Sequence, residues 1–211
     1  MMLVHGSPSR FGSSERIELD EFLRRSMVRA TVVMDGCHYD HADTWTLEWR
    51  AGRIAGFSAH RLLRGRQFDV MHIMATYCES GGLRRSLGPM VLQRPAFREL
   101  RSDRPVYWCL RTRNPLVVRT LGLFSTVLTR ELDIAPTLLA ARCFGSRVRL
   151  DRGGRLHHSY PEGSVFLPAP SGALGEIDYQ RNQCLFLAGR VNLPAVPRSN
   201  RDQEPHHAVL R

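Results

Sequence analysis

The sequence predicts an α/β fold: a mixed, twisted sheet in which an antiparallel meander feeds a β-α-β crossover, with helices flanking it. Three observations predict it. In TWTLEWR, the apolar residues Trp45, Leu47 and Trp49 alternate with polar ones, the pattern of a strand with one buried face. Two largely apolar runs, VMHIMAT (70–76) and VYWCL (106–110), have the composition of strands covered on both faces, as parallel strands are. Between these runs lie Glu79-Ser80-Gly81-Gly82 and a stretch of helical potential from Leu83, a connection long enough for a crossover.

Each element follows in order. Residues 1–14 are polar and glycine-rich and are expected to be flexible. Ile17, Leu19, Phe22, Leu23 and Met27 form a helical stripe over residues 17–27. Residues 30–34 either extend that helix or form a short strand, and residues 35–43 read as a polar loop. Thr44 to Arg50 should be a strand, Ala51-Gly52-Arg53 its turn and Ile54 to Leu63 the return. A third strand over residues 68–77 completes the meander. After VYWCL comes RTRNP, where Asn114 suits a helix cap and Pro115 the first helical position, so a helix is expected over residues 115–123. A further helix is expected at Pro136–Phe144 and a strand at residues 184–191 (CLFLAGRV). The reading is a single domain over residues 15–192, with a disordered tail over residues 193–211.

Composition excludes several chemistries. The chain has 30 Lys and Arg residues, every one of them arginine. Without a lysine there is no phosphate-loop NTPase of the GxxxxGK[ST] type and no Schiff-base or pyridoxal-phosphate chemistry. The formal charge is +10, and from Gly81 to Arg130 ten arginines stand against Glu99 and Asp103, a local balance of +8. Such a surface attracts anions: nucleotide cofactors, nucleic acid or acidic partners. Five scattered cysteines without a CxxC pair, and no hydrophobic leader at the start, predict reduced thiols in a cytoplasm. No apolar run is long enough to cross a bilayer.

The glycine turn before the central helix carries the functional reading. Free amide N–H groups and the positive end of the helix dipole converge there, which suits a phosphate. Other clusters carry less. Cys37-His38-Tyr39-Asp40-His41 packs four candidate ligands into five positions, but no second compact cluster completes a metal site, so no metal is expected. Cys78 lies beside Glu79, and a carboxylate raises a thiol pKa, so Cys78 reads as a free, partly buried thiol and not a nucleophile. The arginines at 84, 85, 94, 98 and 101 would serve nucleic acid, yet Phe97 is the only aromatic among them.

The hairpin TWTLEWRAGRIAGF, the segment MATYCESGGLRRSL and the string VYWCLRTRNPLVVRTLGLF together resemble the GNAT (GCN5-related N-acetyltransferase) superfamily, in particular GNAT-like proteins with a TRNP-type string. The resemblance covers residues 44–124, with a weaker match of CLFLAGRV to a late strand. It implies an acyltransferase that moves an acyl group from acetyl-coenzyme A or another acyl-coenzyme A to a small-molecule or peptide amine. It also implies that the strands before and after the crossover helix splay apart to admit the pantetheine arm. Residue by residue, Gly82 falls on the glycine of the family's R-x-x-G-x-G/A signature, Leu83 on the aliphatic residue after it, and Asn114 on the asparagine that meets the cofactor arm. The implied cofactor contacts are Gly82, Leu83, Arg84, Arg85, Ser86 and Asn114.

The sequence departs from the family pattern at four places. Glu79 replaces the leading Arg or Gln, Arg84 replaces the closing Gly or Ala, and Pro89 stands where the helix should continue. Leu121 occupies the neighbourhood of the family's acidic tyrosine, so no catalytic acid or base is named. These departures keep two alternatives open: a non-catalytic GNAT-like module that has lost cofactor binding or chemistry, and a basic nucleic-acid-binding protein.

Overall fold

The structure is a computed structural model and describes residues 2–26, 36–79, 84–112, 132–157 and 183–191. Its strands are β1 (Met2–Gly6), β2 (Thr44–Arg50), β3 (Arg53–Leu63), β4 (Asp69–Cys78), β5 (Val106–Thr112), β6 (Arg149–Leu150), β7 (Arg155–His157) and β8 (Cys184–Arg190). Its helices are α1 (Ser13–Ser26), α2 (Arg84–Glu99) and α3 (Pro136–Phe144). The strands form one sheet in the order β1-β2-β3-β4-β5-β8-β7-β6. Every neighbouring pair is antiparallel except β4 with β5, which is parallel. The fold class is the expected one, an antiparallel meander followed by a β-α-β crossover with flanking helices. It is also the arrangement that the GNAT resemblance implies.

The meander begins with a two-residue turn. Ala51 and Gly52 have φ of 46° and 79°, so both central residues are left-handed, as a type I′ hairpin requires. Arg53, expected in the turn, instead pairs with Arg50 and opens β3. Residues 2–6, expected to be flexible, form β1 and pair with β2 from Met2↔Trp49 to Gly6↔Trp45. Their apolar content was enough: Val4 packs on the core, and Phe11 just beyond stacks on Trp45 at 5.5 Å. The sheet therefore includes residues 2–6.

Helix α1 starts at Ser13 because Glu15 Oε2 accepts from the Gly12 N–H at 2.6 Å, half of a capping box. Leu19, Phe22 and Leu23 are fully buried against Trp45, Leu47, Ile54 and Phe57. Each such side chain stabilises the fold by about 1.5–3 kcal/mol. Ile17, expected in the same stripe, faces solvent. Trp45 and Trp49 pack on the α1 side, as their alternation predicts.

Helix α3 has the predicted bounds, with Pro136 in its first turn and Gly145 closing it at φ 86°. It packs on Tyr107, Cys109, Leu156 and Phe186. Helix α2 covers the opposite face, where Ala96 and Leu100 meet Met71, Ile73, Val106, Trp108 and Leu110. The helix runs through Pro89 and Pro95 without a break. Each proline removes one intrahelical donor, so tertiary packing and not local propensity holds this helix. Among the described residues no helix is long and apolar enough to cross a membrane. The strand expected at 184–191 is present as β8. Residues 30–34, the helix expected at 115–123 and the tail at 193–211 lie outside the described residues.

One close approach fixes a glycine. A Cβ on Gly189 would lie 2.6 Å from the Trp108 Nε1, with the rest of the indole equally near. The substitution Gly189→Ala should therefore cost about 1–3 kcal/mol through overpacking. Urea unfolding should show a lower midpoint with an unchanged slope.

Candidate active site

The crossover strands part. β4 and β5 pair only from Asp69↔Val106 to His72↔Cys109. β4 then runs six residues further, to Cys78, while β5 continues to Thr112 with β8 as its partner. The cause lies on the other side of β4. Ala59 pairs with Ala75 and His60 with Ile73, so Met74 is an extra residue and β4 carries a bulge. A bulge bends its strand and sharpens the local twist. Here it begins directly after the last β4–β5 pair. Past His72, the β4 edge facing β5 has no strand partner among the described residues.

The β4 end precedes a helix start. Residues 79–83 connect β4 to α2, so the strand that forms one wall of the cleft leads within a few residues to the α2 N-terminus. Arg84, Arg85 and Ser86 form the first turn of that helix, where amide N–H groups lack intrahelical partners. Gly82, Leu83 and Asn114 lie outside the described residues. Glu79, the like charge in the family's basic position, has its Oε1 4.0 Å from Arg53 Nη2 across the hairpin. That pairing offsets the charge at the turn.

Beneath α2 the sheet is polar where a core would normally be apolar. Thr46, Ser58, His60 and Gln93 are buried, as is Glu48, whose Oε1 accepts from Arg50 Nε at 2.7 Å. His5, Thr46, Ser58 and Thr76 stand in register across β1 to β4. His5 Nδ1 lies 2.8 Å from Thr46 Oγ1, and its Nε2 lies 3.2 Å from Glu99 Oε2 at the end of α2. Ser58 Oγ is within 3.1 Å of both His60 Nε2 and Thr76 Oγ1.

Burial sets the titration of the groups around the cleft. Desolvation pushes the Cys78 thiol up to about 12, Glu48 pushes the same way and Arg50 opposes. Cys78 is thus the inert thiol that the sequence indicates. Tyr77 is raised, mainly by burial, and its hydroxyl lies 3.0 Å from that of Tyr39. His60 is lowered to about 3, first by desolvation and then by His5 and His72. His72, whose ring meets Phe144 edge-on, is lowered to about 3 by desolvation and then by Arg111, Arg61 and His41. Both rings are neutral near pH 7.

The ligand-rich string at 37–41 does not converge: the Tyr39 ring enters the core and Asp40 pairs with Arg16 at 2.7 Å. Among the described residues no group of three or more His, Cys, Asp or Glu gathers to hold a metal. The residues that sequence reasoning missed are Met74, Ser58, Thr76 and Gln93. Their signal was faint. Ser58 and Thr76 are polar positions within apolar strands, which ordinarily mark a solvent face.

No family model matches the chain, and no curated protein does. Among solved structures, the chain is similar to Arabidopsis thaliana NAA60 in complex with a bisubstrate analogue, at 11% identity and a TM-score of 0.49 over 90% of this chain and 100% of that one. It is also similar to the aminoglycoside 6'-N-acetyltransferase from Enterococcus faecium, at 11% identity and a TM-score of 0.45 over 92% of this chain and 99% of that one. Likeness at this level is too slight to bear on chemistry. The fold and site rest on the strand order, the crossover and the bulge described above.

The two neutral histidines make the fold sensitive to acid. Their folded pKa values of about 3 lie below the ordinary 6.5, so on acidification the unfolded chain takes up the protons first. This contribution to stability is fully present above about pH 6.5 and falls towards about pH 3, by up to about 1.4 kcal/mol per pH unit for each ring. Denaturant unfolding across that window measures the slope, and His72→Phe should remove about half of it.

Proposed function

We propose that the protein transfers an acyl group from an acyl-coenzyme A to the amine of a small molecule or peptide. The observation that carries this reading is the β4 edge beyond His72↔Cys109, which has no strand partner among the described residues and precedes α2 in the chain. An extended pantetheine arm carries amides, and an open strand edge offers the donors and acceptors to match them. The coenzyme's diphosphate would lie on the amides of Gly82 to Ser86, with Leu83 beside it and with Arg84 and Arg85 supplying positive charge. Asn114 would meet the arm from the β5 side.

In this reading the chain positions and polarises. The amine lone pair forms the C–N bond at the thioester carbonyl carbon, and the carbonyl π pair moves onto oxygen. On collapse the oxyanion pair re-forms the carbonyl, the C–S bond breaks with its electron pair leaving on sulfur, and the proton shed by the ammonium ends on that thiolate. Main-chain N–H donors at the bulged edge would stabilise the transient oxyanion, and alignment of amine and thioester supplies much of the remaining acceleration.

Calorimetric titration tests the reading. Coenzyme A and acetyl-coenzyme A should bind with roughly micromolar Kd. Replacing both Arg84 and Arg85 by Ala should weaken both ligands by about tenfold or more, since each charged hydrogen bond is worth about 1.5–3 kcal/mol. No binding at millimolar ligand would dismiss the acyl-coenzyme A donor. Binding without turnover across a panel of amines would favour the non-catalytic module.

A further inference from the structure

Two chains of hydrogen bonds converge on one peptide carbonyl in the bulge. Ser58 Oγ donates to the Ala75 carbonyl at 2.9 Å, and Thr76 Oγ1 donates to the same oxygen at 2.8 Å. A hydroxyl has a single hydrogen, so both are then committed. The remaining contacts acquire a direction. His60 Nε2, 3.1 Å from Ser58 Oγ, must carry the ring proton and donate it. Gln93 Nε2 donates to Thr76 Oγ1 at 3.3 Å. His60 Nδ1, left as the bare acceptor, has no partner among the described residues. Ser58, His60 and Gln93 are 0%, 1% and 3% exposed. Burying a hydroxyl, an imidazole and a carboxamide is costly where apolar side chains would pack, which points to a task beyond cohesion.

The convergence has a direction across the strand. Ser58 stands on β3, so the Ala75 carbonyl that it reaches points towards β3. The peptide is trans, so the Thr76 N–H points the opposite way, to the edge that β5 no longer pairs and that has no strand partner among the described residues. Donors on a carbonyl draw electrons from its amide and strengthen the N–H on the far side.

We propose that Ser58 and Gln93, with His60 behind Ser58, are positioning residues for acyl transfer: they polarise the Ala75–Thr76 peptide so that the Thr76 N–H is a fixed, strong donor to the thioester oxygen as it becomes an oxyanion. The inference rests on the acyl-coenzyme A reading above. No proton crosses this peptide; its N–H only receives charge.

The test uses acetyl-coenzyme A labelled with carbon-13 at the carbonyl, bound to the full chain and read by isotope-edited infrared spectroscopy. The bound carbonyl band should lie below that of the free thioester. Ser58→Ala and Gln93→Leu should lose most of that shift, and Ser58→Thr, which keeps a hydroxyl, should retain it. Calorimetric Kd should stay within about threefold across all four proteins. Thioester cleavage should slow about tenfold in kcat, with KM unchanged, in the two variants that lose the shift. The variants lie on different elements, so a folding defect in one leaves the other to decide. An equal band position in the wild type, Ser58→Ala and Gln93→Leu overturns the positioning role while acetyl-coenzyme A still binds. A wild type that binds no acetyl-coenzyme A overturns the acyl reading and this role with it.

Discussion

A parallel strand pair cannot hold its register across a bulge in one partner. β4 gains one residue at Met74 and keeps its ladder with β3 on both sides of it. The cost falls on the other edge, where pairing with β5 ends at His72↔Cys109. β5 remains in the sheet because β8 holds it from Thr112 back to Tyr107. The place where the two strands cease to pair therefore lies inside the sheet, with β3 holding β4 and β8 holding β5. One inserted residue thus creates the only break between neighbours among the described central strands.

The two faces of the sheet divide the labour. Under α1 and α3 the packing is apolar and aromatic, with Trp45 edge-on to Phe57 at 5.6 Å and Phe57 edge-on to Tyr39 at 5.2 Å. This face supplies cohesion. Under α2 the packing next to the cleft is polar, and its hydrogen bonds lead to the bulge. The apolar part of the α2 interface is displaced towards Ala96 and Leu100, near the start of β4 and β5. Among the described side chains of α2, Leu92 and Ala96 are buried, and Gln93 makes the polar contact to Thr76. Replacing the polar groups with apolar ones would remove the side-chain hydrogen bonds to the Ala75 carbonyl and to Thr76.

The meander and the crossover were legible because they obey simple periodicities. Trp45, Leu47 and Trp49 alternate, Ala51-Gly52 supplies left-handed turn residues, and the runs at 70–76 and 106–110 are apolar enough for burial on both faces. The edge strand at residues 2–6 was missed because three apolar residues in a polar, glycine-rich stretch make no pattern; register with β2 makes them a strand. The bulge left no trace, since Met74 is neither glycine nor proline. The buried row under α2 was illegible for a deeper reason. Alternation separates the two faces of a strand, but it does not say whether the polar face meets water or a helix. Only the placement of α2 shows that Thr46, Ser58 and His60 lie in the interior. For the candidate site, a helix after β4 was legible, expected from Leu83 and described from Arg84, whereas the donor geometry at Ala75 depends on a cross-strand contact between β3 and β4 that no local window contains.

The indole of Trp108 lies against Gly189, one residue before the last β5 position that pairs with β4, on the side covered by α2. It sits at the point where the sheet begins to open, while Trp45 and Trp49 are sequestered on the other side under α1. Nature has thereby installed a fluorophore at the hinge of the fissure. With the other two indoles changed to phenylalanine, the emission colour of this one would register occupancy in real time, without any dye attached to the chain.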